Sequence, residues 1–256
     1  MTRVAIRTPV EIEAMAAAGA IVGDTLAMVR QMAAPGVRVR AIALAAEAMI
    51  RGRGAVPTFK GYRGFPAPIC TSIDSEAVHG LPGWRKLRSG QLFKVDCGAT
   101  LNGWVGDAAI TIPIGQVDPE RLDLMHATRA ALQAALAAAR AGATLGDLGH
   151  AVQQVAEAGG YGIARELAGH GVGRVLHEDP QVPNFGEAGS GPTLQVGWCL
   201  AIEPILNLGA DDLLATADGW TVRTADGQPS AHFEHSIAIA EGQPRILTLT
   251  SDGAWP

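Results

Sequence analysis

Four carboxylates lie where the sequence gives an idle charge little reason to be. Asp96 interrupts the apolar run LFKVDCGATL, and Asp107 follows in WVGDAAITIPI. Glu203 sits inside CLAIEPIL, and Glu234 heads the strand-like EHSIAIA. An ionised carboxylate among apolar side chains must be paired, protonated or bound to a cation. The arginines and lysines that might serve as partners are expected in loops or on helix faces, so ion pairing is not expected to neutralise all four. Four carboxylates and one imidazole instead suit two divalent cations of the manganese, iron, cobalt or zinc type. Charge agrees: two such ions balance four carboxylates, and a bridging hydroxide leaves one net negative charge. Cys70, Cys97 and Cys199 are far apart and form no C-x-x-C pair, which disfavours a thiolate site.

The nitrogen ligand is expected to be His170, in AGHGVGRVLHEDPQVPNFG, where Gly169 and Gly171 would let the backbone come close to the metals. His177, seven residues on, is placed to serve a substrate instead. His79, in EAVHGLPG, is a third histidine beside a turn. Taken singly, each is more ordinarily a structural residue. Their weight comes from the carboxylates around them.

Asp96 and Asp107 can be positioned from local rules. Asn102-Gly103 is a strong two-residue hairpin signal. Leu101 then faces Trp104, Asp96 opposes Ala109, and Asp107 opposes Gly98. Alternation puts both aspartates on one sheet face as diagonal neighbours, roughly 6–8 Å apart at Cβ.

Other elements follow from caps and periodicity. Thr8-Pro9-Val10-Glu11 reads as a capping box opening a helix that runs to Pro35-Gly36. A second helix is expected over about residues 38–52, with short extended pieces near Ile69–Ile73 and Ala77–His79. Asp118-Pro119 opens an alanine-rich third helix that fades near Gly142, and Thr144 caps a fourth that ends at Gly159-Gly160. Strand-like runs close the chain: WCLAIEPIL, WTVRTAD, AHFEHSIAIA and RILTLT. Each half thus reads as two helices followed by strands, an α+β chain with an internal echo over about 8–117 and 118–250. The site is expected between the halves.

At 256 residues the chain can bury one sizeable core. A net charge of -5 without a basic run argues against a nucleic-acid surface as the main business, though it leaves room for a local ribosome-docking patch. The opening MTRVAIRTPVEIEAM lacks a signal-type apolar core, and no stretch is expected to approach a membrane span. Three ungrouped cysteines point to a reducing cytoplasm. A site complete within one chain makes a monomer the expectation.

These residues resemble the type I methionine aminopeptidases, the short bacterial form of the pita-bread metallopeptidase fold. The resemblance runs almost end to end, through GYRGFPAPICTSI, HGLPG, VDCGATLNGWVGDAAITIPIG, GHGVGRVLHEDPQVPNFG, AIEPILNLG and DGWTVRTADGQPSAHFEHSIAI. It implies a pseudo-twofold pair of helical halves around a curved antiparallel sheet. It also implies that Asp96, Asp107, His170, Glu203 and Glu234 hold two divalent ions, with Asp107 and Glu234 bridging. A water between the ions would be the nucleophile and Glu203 its proton acceptor, with His79 and His177 facing the substrate. Tyr62, Phe65, Cys70 and Trp220, with Phe59 near the rim, align with a pocket for the methionine thioether. The implied substrates are nascent chains and peptides that begin with methionine followed by a small residue.

Several positions depart from the family pattern. Ala108 stands where threonine is common, His232 where glutamine is usual, Arg63 for a histidine, Val78 for a cysteine and Leu176 for a phenylalanine. None removes a metal ligand, but the loss at Ala108 puts support of Asp107 in question. Two rivals remain: an Xaa-Pro aminopeptidase or prolidase, which usually carries an extra N-terminal domain, and a catalytically dead pita-bread binding protein, which typically lacks one or more ligands.

Overall fold

Two threonine-led capping boxes start the first and the fourth helix. Thr8 Oγ1 accepts from the Glu11 amide at 3.4 Å, and Glu11 accepts from the Thr8 amide at 2.9 Å. Thr144 and Asp147 repeat the exchange at 3.2 and 2.7 Å. These reciprocal bonds satisfy amides that a bare helix end leaves open. The computed structural model describes residues 4–256; Met1, Thr2 and Arg3, part of the stretch expected to lack a signal sequence, lie outside it.

In chain order the elements are α1 (Pro9–Met32), α2 (Val39–Gly52), β1 (Val56–Pro57), β2 (Cys70–Ile73), β3 (Glu76–Val78), β4 (Gln91–Leu101) and β5 (Trp104–Ile114). There follow α3 (Pro119–Ala138), α4 (Leu145–Gly159), β6 (Gly162–Ile163), β7 (Ala168–Gly171), β8 (Glu178–Pro183), β9 (Cys199–Ile202) and β10 (Ile205–Asn207). The chain ends with β11 (Leu213–Ala215), β12 (Val222–Thr224), β13 (Ser230–His232), β14 (Glu234–Ala238) and β15 (Arg245–Ile246). The main sheet runs β1-β4-β5-β14-β9-β7-β8, with β2 also on β4 and β15 on β14, all antiparallel. The class is α+β.

The hairpin has the expected register: Leu101 pairs with Trp104, Asp96 with Ala109 and Gly98 with Asp107. Asn102 and Gly103 both take positive φ, as a tight two-residue turn requires. Alternation then sorts the strands by face. Val95, Cys97, Ile110 and Ile112 join the core packed under the helices, while Asp96 and Asp107 point to the opposite face. Helix α1 lies very close to the sheet, because a methyl at Gly106 would fall 2.6 Å from the Gly19 Cα.

The structure differs from expectation in three places. Residues 162–183 hold β6, β7 and β8, which the glycines and prolines of that stretch concealed. The run RILTLT pairs only at Arg245–Ile246; the backbone beyond closes on Gly19 and Gly23 of α1. Finally, α1 is long and apolar enough to cross a membrane by length and composition, with a mean hydropathy of 1.5 over its most apolar window. Half of that window is buried inside this fold, consistent with a core helix.

Candidate metal centre

The sheet face opposite the helices carries a cavity of about 190 Å³. Five strands or strand ends supply its polar floor. Asp96 comes from β4, Asp107 from β5, His170 from β7, Glu203 from the turn after β9, and Glu234 from the start of β14. Glu234 pairs with Ala109, the same residue that Asp96 opposes. Three adjacent strands therefore bring their carboxylates to one spot.

Ligand atoms of Asp107, His170 and Glu234 all lie within 4.8 Å of one another. His170 Nε2 is 3.7 Å from Asp107 Oδ2 and 3.6 Å from Glu203 Oε1. Asp96 joins from the neighbouring strand of the hairpin, opposite Ala109 and diagonal to Asp107. Among the described residues no lysine or arginine pairs with any of the four carboxylates; the basic side chains that approach them are imidazoles. Asp96 Oδ1, Asp107 Oδ1 and Glu234 Oε1 are buried without a hydrogen-bond partner among the described residues. Buried polar atoms seldom stay unsatisfied, so orphaned oxygens converging on one imidazole fit a divalent cation.

Electrostatics says the same. Burial pushes Asp96 up to about 7. It lifts Asp107 well above the usual carboxylate range, with Asp96 and Glu203 adding repulsion. Glu203 rises through burial and then Asp96, and Glu234 through burial and then Asp107. Without positive charge between them, these groups hold protons that a cation would displace.

The glycines around His170 do something other than expected. A methyl at Gly169 would meet the Ala201 carbonyl oxygen at 2.3 Å, and one at Gly171 the Asp179 carbonyl oxygen at 2.2 Å. They let β7 pack tightly between β8 and β9, rather than admit the backbone to a metal. His170 Nδ1 is 2.8 Å from the Gly171 carbonyl oxygen, which fixes the ring with Nε2 toward the carboxylates.

Phe59, Tyr62, Phe65, Cys70, His79, His177 and Trp220 line the same cavity, and so do Arg63 and Leu176, two of the departures from the family pattern. Phe59, expected near the rim, is buried, its ring over Gly98 where a methyl would sit 2.7 Å away. Phe65 meets Trp220 edge-on at 5.2 Å. Burial and nearby Asp96 hold the Cys70 thiol well above its ordinary range, so it acts as apolar wall. His177 Nδ1 is 2.9 Å from the Tyr62 hydroxyl, with the rings stacked at 5.3 Å. Burial, then His170, lowers His177 to about 4. Burial also lowers His79, which takes a left-handed φ of 58°, an uncommon conformation for a side chain that is not glycine.

Sequence reasoning missed what holds Asp107. Ser236 Oγ accepts from the Asp107 amide at 3.1 Å and donates to its carbonyl at 2.8 Å. Thr248 in turn meets the Ser236 amide and His235. A small hydroxyl on β14 therefore grips the Asp107 backbone beside Ala108. No motif marks Ser236; only the β5–β14 pairing reveals it.

A buried carboxylate–imidazole group beside an apolar cavity, on this sheet, has the ligands of a divalent-metal site. The sequence profile of metallopeptidase family M24 matches residues 13–241. The chain is 45% identical to a methionine aminopeptidase of Clostridium acetobutylicum, over 95% of this chain and 98% of that protein. It is 46% identical to methionine aminopeptidase 1 of Mycobacterium tuberculosis, over 95% and 94%. The crystal structure of the Thermotoga maritima methionine aminopeptidase superposes with a TM-score of 0.95 at 40% identity, covering 96% and 100% of the two chains. The prolidase of Pyrococcus furiosus shares the fold at 23% identity and a TM-score of 0.76, with 66% of that longer chain covered. The fold is thus the pita-bread fold, and the chain belongs to the methionine aminopeptidases of metallopeptidase family M24.

Proposed function

We propose that this chain removes the N-terminal methionine from nascent proteins and peptides with a small second residue. Its centre would hold two divalent ions on Asp96, Asp107, His170, Glu203 and Glu234. The observation that carries the reading is the convergence of four carboxylates, three with orphaned oxygens, and His170 at the floor of an apolar cavity. Manganese, iron, cobalt and zinc all suit such an oxygen-rich set.

Bound there, the cations supply Lewis acidity toward a water and toward the scissile carbonyl. Glu203 accepts the proton of the attacking water. His177 Nδ1 meets the Tyr62 hydroxyl; with that hydroxyl as the donor, His177 carries its proton on Nε2 and offers it in a hydrogen bond to the carbonyl oxygen. With its ionisation lowered to about 4, it does so as a neutral imidazole at pH 7. His79 contacts the scissile nitrogen and helps protonate the leaving amine. Tyr62, Phe65, Cys70 and Trp220, with Phe59 and Leu176, hold the unbranched thioether against aromatic edges.

Two halves, about 8–117 and 118–250, each contribute a helix pair and ligand-bearing strands. A cavity lined within one chain supports a monomer, and free, buried Cys70, Cys97 and Cys199 suit a reducing cytoplasm, where nascent chains at the ribosome are the natural substrates. A peptide panel tests the reading. Met-Ala and Met-Gly peptides should be cut, and Met-Lys and Xaa-Pro peptides left intact. Cleavage of Xaa-Pro peptides alone would favour a prolidase; no metal-dependent cleavage at all would favour a binding protein.

A further inference from the structure

Glu203 is flanked by two imidazoles. His170 Nε2 approaches Oε1 at 3.6 Å, and His232 Nε2 approaches Oε2 at 3.8 Å. The proposed function gives His170 a role and leaves His232 without one. Yet His232 is only 2% exposed, and its Nε2 is buried with no hydrogen-bond partner among the described residues.

Its backbone is firmly held. The His232 amide donates to Thr111 Oγ1 at 2.9 Å, and that hydroxyl donates to the His232 carbonyl at 2.7 Å. His232 also pairs with Ile205 across β10 and β13, two residues past Glu203. The strand register therefore delivers His232 to the Glu203 turn.

We infer that His232 is a positioning residue whose Nε2–H donates to Oε2 of Glu203, leaving Oε1 to face the cavity. The inference rests on the proposed role of Glu203 as ligand and proton acceptor. The gap of 3.8 Å exceeds a hydrogen bond by about 1 Å; catalytic contacts of this kind commonly tighten once a site is loaded. A buried ring nitrogen needs a partner, and the Glu203 oxygen is the anionic acceptor beside it. Glutamine, usual here in the family the chain resembles, offers a neutral N–H from the same backbone position. The imidazole N–H replaces the amide N–H, so the donor survives while the residue changes.

Visible-absorption titration of the metal-free protein with Co(II) tests this, using wild type, His232→Ala, His232→Gln and Glu203→Ala, with circular dichroism to establish folding. His232→Ala should weaken Co(II) binding about 10–100-fold, the range for losing a residue that orients a ligand, and shift the visible bands. His232→Gln should restore both. Wild-type affinity and spectrum in His232→Ala, alongside a clear loss in Glu203→Ala, would overturn this inference alone. So would a His232→Gln protein as impaired as His232→Ala, which would make the residue mere packing. Unchanged Co(II) binding in Glu203→Ala would overturn the Glu203 assignment and this inference with it.

Discussion

The rings of His170 and His177 stand 4.3 Å apart, centroid to centroid, and have different partners. His170 turns Nε2 toward Asp107 and Glu203, whereas His177 is tethered to Tyr62 and open at the cavity mouth. Removing either imidazole should therefore fail in a different way. His170→Ala should lose metal, measured on dialysed protein. His177→Ala should retain metal and lose kcat by about 10²–10⁴-fold, as removal of a polarising donor does. Equal metal content in both variants, with equal rates, would contradict the division.

The proposed mechanism puts His79 on the reacting side as well. His79→Ala should lower kcat by about two orders of magnitude or more with the metals still bound. Kinetics on a Met-Ala peptide beside metal analysis decides it, and a near-full rate would remove His79 from the mechanism.

In the proposed centre, protons and metal would compete for Asp96. Its folded value, about 7, lies above the roughly 3.9 of an unfolded aspartate. The metal-free fold therefore keeps a proton that the unfolded chain has released, and the contribution of Asp96 to stability falls as pH rises from about 4 through about 7. Two results should follow. Metal-free Asp96→Asn should gain melting temperature over wild type as pH rises through that window. Divalent-ion binding should release more protons at pH 6 than at pH 8.5, read by calorimetry in buffers of different ionisation enthalpy. A constant difference in the first, or equal release in the second, would go against a proton-bearing Asp96.

Ser236 holds the Asp107 backbone through two hydrogen bonds. Ser236→Ala should cost about 1–3 kcal/mol, because it strands a buried amide, and should weaken metal binding through Asp107. Thermal melts with and without metal would show both losses; a variant that melts and binds like wild type would leave Ala108 without this compensation.

Much of the site was legible because its signals are local. A charge inside an apolar run pointed to Asp96, and Asn102-Gly103 set the register that put it beside Asp107. The capping box at Thr8 and the capping threonine at Thr144 marked the starts of the first and fourth helices. What stayed hidden depends on partners far along the chain. Nothing near Ser236 announces a grip on Asp107, 129 residues away. The strands around His170 were masked because glycine and proline, read locally, signal turns. There the glycines serve close strand packing that only the assembled sheet defines.

The central claim is that divalent metal on these five residues drives methionine release. Metal-free protein should be titrated with Mn(II) or Co(II) while free methionine is measured from a Met-Ala peptide. Release should be absent at the start, rise with bound metal, and vanish when a chelator is added. Release that ignores metal content, or none at any loading, would contradict the account.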